Sequence, residues 1–478
     1  MTGAAAHRRV TLASSVVGAV IVALDGTVLA ITQPTLQRDL HAGFAQVQWT
    51  STGYLIAVAS LLVFAGRLGD RYGHQRIFAI GILGFGAASA GIGLAPDVGW
   101  VVGLRVVQGV FGALLQPATL GMLRAAYPPD RLGMPIALRT SAIGLAAAAG
   151  PLVGGVLVSQ LGWRAVFFLN VVPALAMGVL ALAVRRRPER GDAPVAPPRA
   201  PGAAPLDLPG ACLLATALVF LVHTLVGIPE DGWTAGTVLG LVATAVTATA
   251  FARHERRAAS PLVPAAVLGS AAVGSALTVL VVASAAMMGT LFAGTYLLQD
   301  VIGLDALGTG LRALPGPVAM VPAAPAAAVL LRRQGPRRTT LGGIVLLAAG
   351  VLILSRLGPA SADASIGGGF LLLGAGFGTV MVTATAVVVR QAPAEAAGVA
   401  GGLQQTAMNV GPVLGVAAAT TLMSSGSGVA TGPALTVLAA LAAAGALPAA
   451  RLPGRRATGA DGGGRAPAAG GSGARTAS

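Results

Sequence analysis

Two ionisable residues stand where a lipid-facing sequence should have none. Asp25 lies in Leu24-Asp25-Gly26-Thr27, in the middle of the apolar run 10–33, and Arg105 opens Arg105-Val106-Val107-Gln108-Gly109-Val110-Phe111-Gly112 within the run 99–123. A charge in hydrocarbon is costly unless it faces a cavity or finds a partner, and each of these is the other's best candidate. A carboxylate so placed feels two opposed effects: loss of water favours the protonated form, and a neighbouring cation favours the ionised one. That competition suits reversible proton binding. It also suits a permanent ion pair that only fixes helix packing, and spacing alone leaves both readings open.

Other polar side chains within apolar runs are candidates to line a substrate cavity: Thr27 and Gln108 beside the pair, and Gln404, Gln405 and Asn409, about one helical turn apart. Interhelical hydrogen bonding is the competing role for that strip. Met287, next to Met288, suits an adaptable apolar pocket, although core filling explains it as well. Conventional enzyme chemistry finds no footing. The chain has no lysine, which excludes a nucleotide-binding loop ending in Gly-Lys, and His7, His41, His74, His223 and His254 do not cluster at metal-ligand spacing. Cys212 is the single cysteine, so no intramolecular disulfide or cysteine zinc site exists. No metal and no cofactor are expected.

The elements that must hold these residues follow from composition. Only 10% of the 478 residues are charged while 55% are hydrophobic, far from the roughly 25% charged of soluble domains. A span needs about 20 apolar residues, and fourteen runs satisfy this: 10–33, 47–66, 77–95, 99–123, 134–158, 164–184, 207–227, 233–252, 267–298, 307–331, 339–357, 366–389, 397–423 and 430–450. The ninth is long enough to require tilt or an interfacial piece. Arginine placement tests the count independently, because loops on the cytoplasmic side collect arginine. With the N-terminus inside, 25 of the 31 arginines fall on the cytoplasmic side, four fall outside, and Arg105 and Arg139 lie within spans. Both termini are therefore expected in the cytoplasm. The net charge of +15 is a consequence of this topology, so nucleic acid is not expected as a partner. Absence of lysine beside 68 glycines and 30 prolines fits the codon bias of a GC-rich bacterium.

Two echoes reveal a duplication. Arg71-Tyr72-Gly73-His74-Gln75-Arg76 after the second run is matched 262 residues later by Arg333-Gln334-Gly335-Pro336-Arg337-Arg338 after the tenth. Gly150-Pro151-Leu152-Val153-Gly154 in the fifth run is matched 261 residues later by Gly411-Pro412-Val413-Leu414-Gly415 in the thirteenth. The offsets imply two six-helix halves separated by a two-helix insert, with a substrate site between the halves near the midplane. The expected organisation is a cytoplasmic N-terminus 1–9, a first bundle 10–184, a linker 185–206, an insert 207–252, a second bundle 253–450 and a flexible tail 451–478.

The loop Gly66-Arg67-Leu68-Gly69-Asp70-Arg71-Tyr72-Gly73-His74-Gln75-Arg76 resembles the cytoplasmic signature loop of the major facilitator superfamily. The resemblance implies that Asp70, with Arg71 and Arg76, forms a breakable latch between the halves, helped by Gly66, Gly69 and Gly73. In the second copy Arg332 occupies the place of Asp70. The Arg105 string resembles the family's fourth-span proton-coupling motif, and the Asp25 string resembles the first-span motif of its drug:proton exporters. Shifted by the repeat, those positions become Gly367 and Met287, so the second half has no equivalent pair. Gly144, Gly150, Pro151, Gly154 and Gly155 in the fifth span resemble the antiporter motif, which marks exporters rather than uptake symporters. With Gly162–Asn170, Tyr296–Asp300, Gly310–Pro315 and Gly402–Thr406, the chain looks like the fourteen-span drug:proton antiporter branch over about residues 10–450. No acid lies at depth in the tenth or thirteenth spans, a departure from some multidrug members that argues against divalent cationic drugs.

The expectation is an all-α integral membrane protein of the plasma membrane, two six-helix bundles of the major facilitator type plus a central insert. It exports a hydrophobic drug-like or antibiotic-like molecule in exchange for protons, using the proton gradient, surrounded by lipid and acting as a monomer. Uptake of a metabolite by symport, and a nontransporting sensor or scaffold, are the competing classes.

Overall fold

The computed structural model describes residues 2–183, 206–359, 361–424 and 431–454, and these are almost entirely helical. Fourteen helices among the described residues are long and apolar enough to cross a membrane, the arrangement that lipid imposes by leaving backbone groups no outside partner. The first half comprises α1 (Thr2–Asp39), α2 (Phe44–Tyr72), α3 (His74–Gly93), α4 (Val98–Ala126), α5 (Gly133–Leu161) and α6 (Trp163–Ala183). The insert is α7 (Leu208–Asp231) and α8 (Ala235–Glu255). The second half comprises α9 (Ala271–Tyr296), α10 (Pro315–Gln334), α11 (Pro336–Ser355), α12 (Asp363–Gln391), α13 (Ala397–Ser424) and α14 (Thr431–Ala444).

The spans counted from hydropathy all correspond to helices, and several of the helices run further. The α2 helix continues six residues past the apolar run, to Tyr72, carrying Arg67, Asp70 and Arg71 on its last turns. Backbone hydrogen bonding does not stop where hydropathy stops. The long ninth run resolves into an extra piece, a short helix Ala265–Leu268, after which the Ser270 hydroxyl accepts from Val273 N at 3.3 Å and starts α9. Most of the linker and tail, 184–205 and 455–478, lies outside the described residues.

Each half has its own core. Leu62, Phe78, Ile82, Phe85 and Leu115 are buried in the first, and Val279, Leu280, Leu347 and Leu373 in the second. A third cluster joins them: Leu120, Leu123, Leu132 and Ile136 of the first half pack on Ala324, Ala328, Leu331 and Ala386 of the second. The duplication is visible in the turns. Gly73 between α2 and α3 and Gly335 between α10 and α11, 262 residues apart, have φ of +94° and +82°, a conformation that a side chain resists.

The insert packs from the side. α7 lies against both α2 and α13, with His223 stacked on Trp49 at 5.9 Å between ring centroids. α8 packs on α7 and leaves Val238, Leu239, Val242 and Val246 exposed, as a lipid-facing helix requires.

Candidate substrate and proton site

Five helices build the environment of Asp25. α4 presents Arg105 and Gln108 three residues apart, hence on one face, and α1 presents Asp25 to them. Arg105 Nη1 donates to Asp25 Oδ2 at 2.6 Å, while Gln108 Nε2 and Asn170 Nδ2, the latter from α6, donate to Oδ1 at 3.2 and 3.1 Å. Arg105 Nε donates to the Thr50 carbonyl of α2 at 2.9 Å, and its guanidinium lies 4.2 Å from the centre of the Tyr54 ring. Gln108 Nε2 also donates to Ser89 Oγ of α3 at 2.7 Å. Asp25 is 4% exposed and Arg105 1%, so the pair is desolvated and its charges are met by donors and acceptors on every side. α4 approaches α2 this closely because a Cβ on Gly109 would stand 2.7 Å from the Tyr54 carbonyl oxygen.

The glycines of α5 explain how this site connects to its surroundings. A Cβ on Gly150 would collide with Thr27 Oγ1, and one on Gly154 would lie 2.7 Å from Val28 Cγ1. Both neighbours belong to α1, directly after Asp25. On the same helix, a Cβ on Gly144 would lie 2.8 Å from Met320 Cβ of α10, across the boundary between halves. Gly155 has nothing within 4 Å of such a position, and Pro151 has a side chain outside the described residues. The second half repeats the device, for Gly411 and Gly415 of α13 press on Val281, Ser284 and Ala285 of α9.

The halves meet on the arginine-rich face. Asp70, at the end of α2, accepts from Gly398 N at 2.6 Å and Val399 N at 3.0 Å, the free amides at the start of α13. A carboxylate there is favoured by both the unpaired N–H groups and the helix dipole. Bulk is excluded from the crossing: a Cβ on Gly66 or on Gly398 would strike the other residue's backbone. Gly69 is close to His74, whose Nε2 lies 3.4 Å from Asp70 Oδ1. Arg71 and Arg76 are exposed, Arg71 over the Tyr72 ring. The contact the structure shows is therefore carboxylate to helix terminus. At the equivalent crossing of α10 with α5, Arg332 is exposed, and Gly133 is approached by Leu331, Ala328 and Arg390.

Above this closure, between the halves, lies a cavity of about 190 Å3. Gln116 and Thr119 of α4, Arg139 of α5, Met381 of α12, and Gln405 and Asn409 of α13 line it. Gln405 donates to Gln116 across the boundary, and Asn409 donates to the Gln405 carbonyl at 2.8 Å. With Ser141 Oγ donating to the Val321 carbonyl at 2.7 Å and Arg390 reaching the Asp130 carbonyl, these side-chain links join the halves from the arginine-rich face to mid-helix.

Residues 16–416 match the family described as Major Facilitator Superfamily. The chain belongs to the major facilitator superfamily. The tetracenomycin C resistance and export protein of Streptomyces glaucescens is 42% identical over 416 residues, 87% of this chain and 76% of its own. The puromycin resistance protein pur8 of Streptomyces alboniger is 34% identical, with 87% and 83% covered. The human organic anion transporter MFSD10 has the same fold, with a TM-score of 0.65 at 13% identity, covering 92% of this chain and 99% of that one. As a member of the superfamily, the chain is a multi-pass membrane protein of a transporter family whose members handle small molecules.

On this major facilitator scaffold, the six cavity candidates separate. Gln405 and Asn409 line the cavity. Gln108 belongs to the Asp25 network, Thr27 binds its own helix backbone and packs on α5, and Gln404 donates to Thr385 at 3.1 Å. Met287 is buried in the core of the second half. Sequence reasoning missed Asn170 and Thr50 as partners of the pair, Ser89 as the partner of Gln108, and Gln116, Thr119 and Arg139 in the cavity. A polar residue within an apolar run was the available signal for most of them; a carbonyl acceptor such as Thr50 leaves none.

Proposed function

We propose that this protein is a proton-coupled exporter of hydrophobic, antibiotic-like small molecules, working by alternating access in a bacterial plasma membrane with both termini in the cytoplasm. The observation that carries the reading is the buried Asp25–Arg105 pair, with Asp25 on a helix that packs directly on α5, beside a cavity between two halves. Export relatives at 42% and 34% identity support the class of cargo.

In the form described, the arginine-rich face is closed. Asp25 takes a proton from the outside, and the neutral carboxyl loses the attraction that holds Arg105. The guanidinium then rests on the Thr50 and Gln108 oxygens it already touches. Relaxing the α1–α4 contact shifts α1, and Thr27 and Val28 pass that shift to α5, which borders α10. Parting of the Asp70 contact opens the cytoplasmic side to substrate. Release of the proton inward restores the ion pair and resets the cycle. The proton gradient supplies the driving force, so no cofactor enters the scheme.

The test is proton release from acid-loaded proteoliposomes on addition of tetracenomycin C or puromycin. Wild type should release protons with at least one compound, and Asp25→Asn should reconstitute normally and release none. Full release by Asp25→Asn would remove that residue from the coupling step. Absence of release by wild type with both compounds would count against export of this class.

A further inference from the structure

Two arginines are buried within the membrane-spanning helices of the first half, and they differ in one respect. Arg105 is met by Asp25. Arg139, on α5, is 3% exposed, forms no salt bridge among the described residues, and has an Nε without a hydrogen-bond partner. It borders the central cavity, where the other polar groups, Gln116, Thr119, Gln405 and Asn409, are all neutral. All four are already engaged: Gln405 donates to Gln116, Asn409 to the Gln405 carbonyl and Thr119 to the Gln116 carbonyl.

A guanidinium remains charged at any physiological pH, and a buried one without a counter-ion is expensive enough that its position in a membrane helix marks a function. Here the missing counter-ion has a place to sit. We infer that the central cavity binds the anionic end of its substrate, an acidic group such as a carboxylate on an apolar body, with Arg139 as the counter-ion. The fork of the guanidinium matches two oxygens of one acidic group. Met381, Met408 and Ile143, also in the lining, supply the adaptable apolar contact for the rest of the molecule. About 190 Å3 is less than a whole drug site usually offers, and it is enough for the acidic end of a larger molecule. The same charge repels permanently cationic drugs. This inference rests on the exporter reading and names its substrate class.

The experiment is equilibrium binding to the purified full-length protein in nanodiscs, with three probes of one shape: 2-naphthoate, its methyl ester, and trimethyl(2-naphthyl)ammonium. The naphthoate should bind at least tenfold more tightly than the ester, with the cation weakest. In Arg139→Gln the preference should fall to within about twofold, while Arg139→Lys retains part of it. Equal affinity for the acid and the ester in wild type, failure of the naphthoate to bind, or a preference that survives Arg139→Gln would each overturn the inference. The wild-type comparison decides the matter even if a variant does not fold. Anion preference in a protein that moves no compound in the proteoliposome assay would sink the exporter reading and keep this site; coupled export without anion preference would do the reverse.

Discussion

At Asp25 the chemistry depends on how completely a carboxylate can be surrounded without being locked. Three side-chain donors from two other helices converge on its two oxygens. Removing one member of a buried ion pair leaves the other uncompensated, at a cost of about 3–5 kcal/mol. Arg105→Ala should therefore lower the thermal stability of the detergent-solubilised protein sharply. Adding Asp25→Asn to it should recover most of the loss while leaving coupling at zero, measured as proton release. Recovery of coupling in the double variant would show that the pair only fixes packing. That a carboxylate and a guanidinium within apolar runs belong together was legible from cost alone. The hydrogen bonds from Asn170 and the ring of Tyr54 were not, because they come from helices whose rotation in lipid the sequence does not reveal.

At the scale of the helix, α5 is a shared wall. Its outer glycines press on α1 beside Asp25, and Gly144 presses on α10 in the other half. Gly150→Leu should push α1 away, at an overpacking cost of about 1–3 kcal/mol, and abolish substrate-driven proton release while the protein still inserts. Gly155→Ala meets nothing within 4 Å and should retain near-normal flux in the same assay. Equal effects of the two substitutions would refute a directional role for the glycine face. The sequence showed five small or kinking residues in one span. Which of them touch a neighbour depends on the helix phase, and only three of the glycines do.

For the molecule as a whole, the arrangement is a balance between closed and open faces. On the arginine-rich side the balance rests on a buried carboxylate accepting two backbone amides. Hydrogen bonds to a charged group contribute about 1.5–3 kcal/mol, so Asp70→Asn should move the equilibrium towards opening of that face by roughly ten- to a hundredfold. Spin labels at positions 76 and 333, both exposed and on opposite halves, with Cys212 replaced, should then report a longer distance by double electron–electron resonance. An unchanged distance would place the latch elsewhere. The second half has Arg332 at the equivalent position, so the two crossings are chemically unequal and a single acid carries this contact.

The sequence by itself determined the number of spans, the duplication, the separate insert and the pairing of Asp25 with Arg105. Lipid cannot satisfy a backbone amide or an isolated charge, so span length, charge and punctuation are written residue by residue. It did not determine lateral arrangement. In a bilayer a helix is apolar on its lipid face and its protein face alike, so hydropathy carries little information on rotation or neighbours. Tertiary structure therefore decided that Asp70 caps α13, that Met287 and Gln404 lie away from the cavity, and that Arg139 faces it with no counter-ion among the described residues.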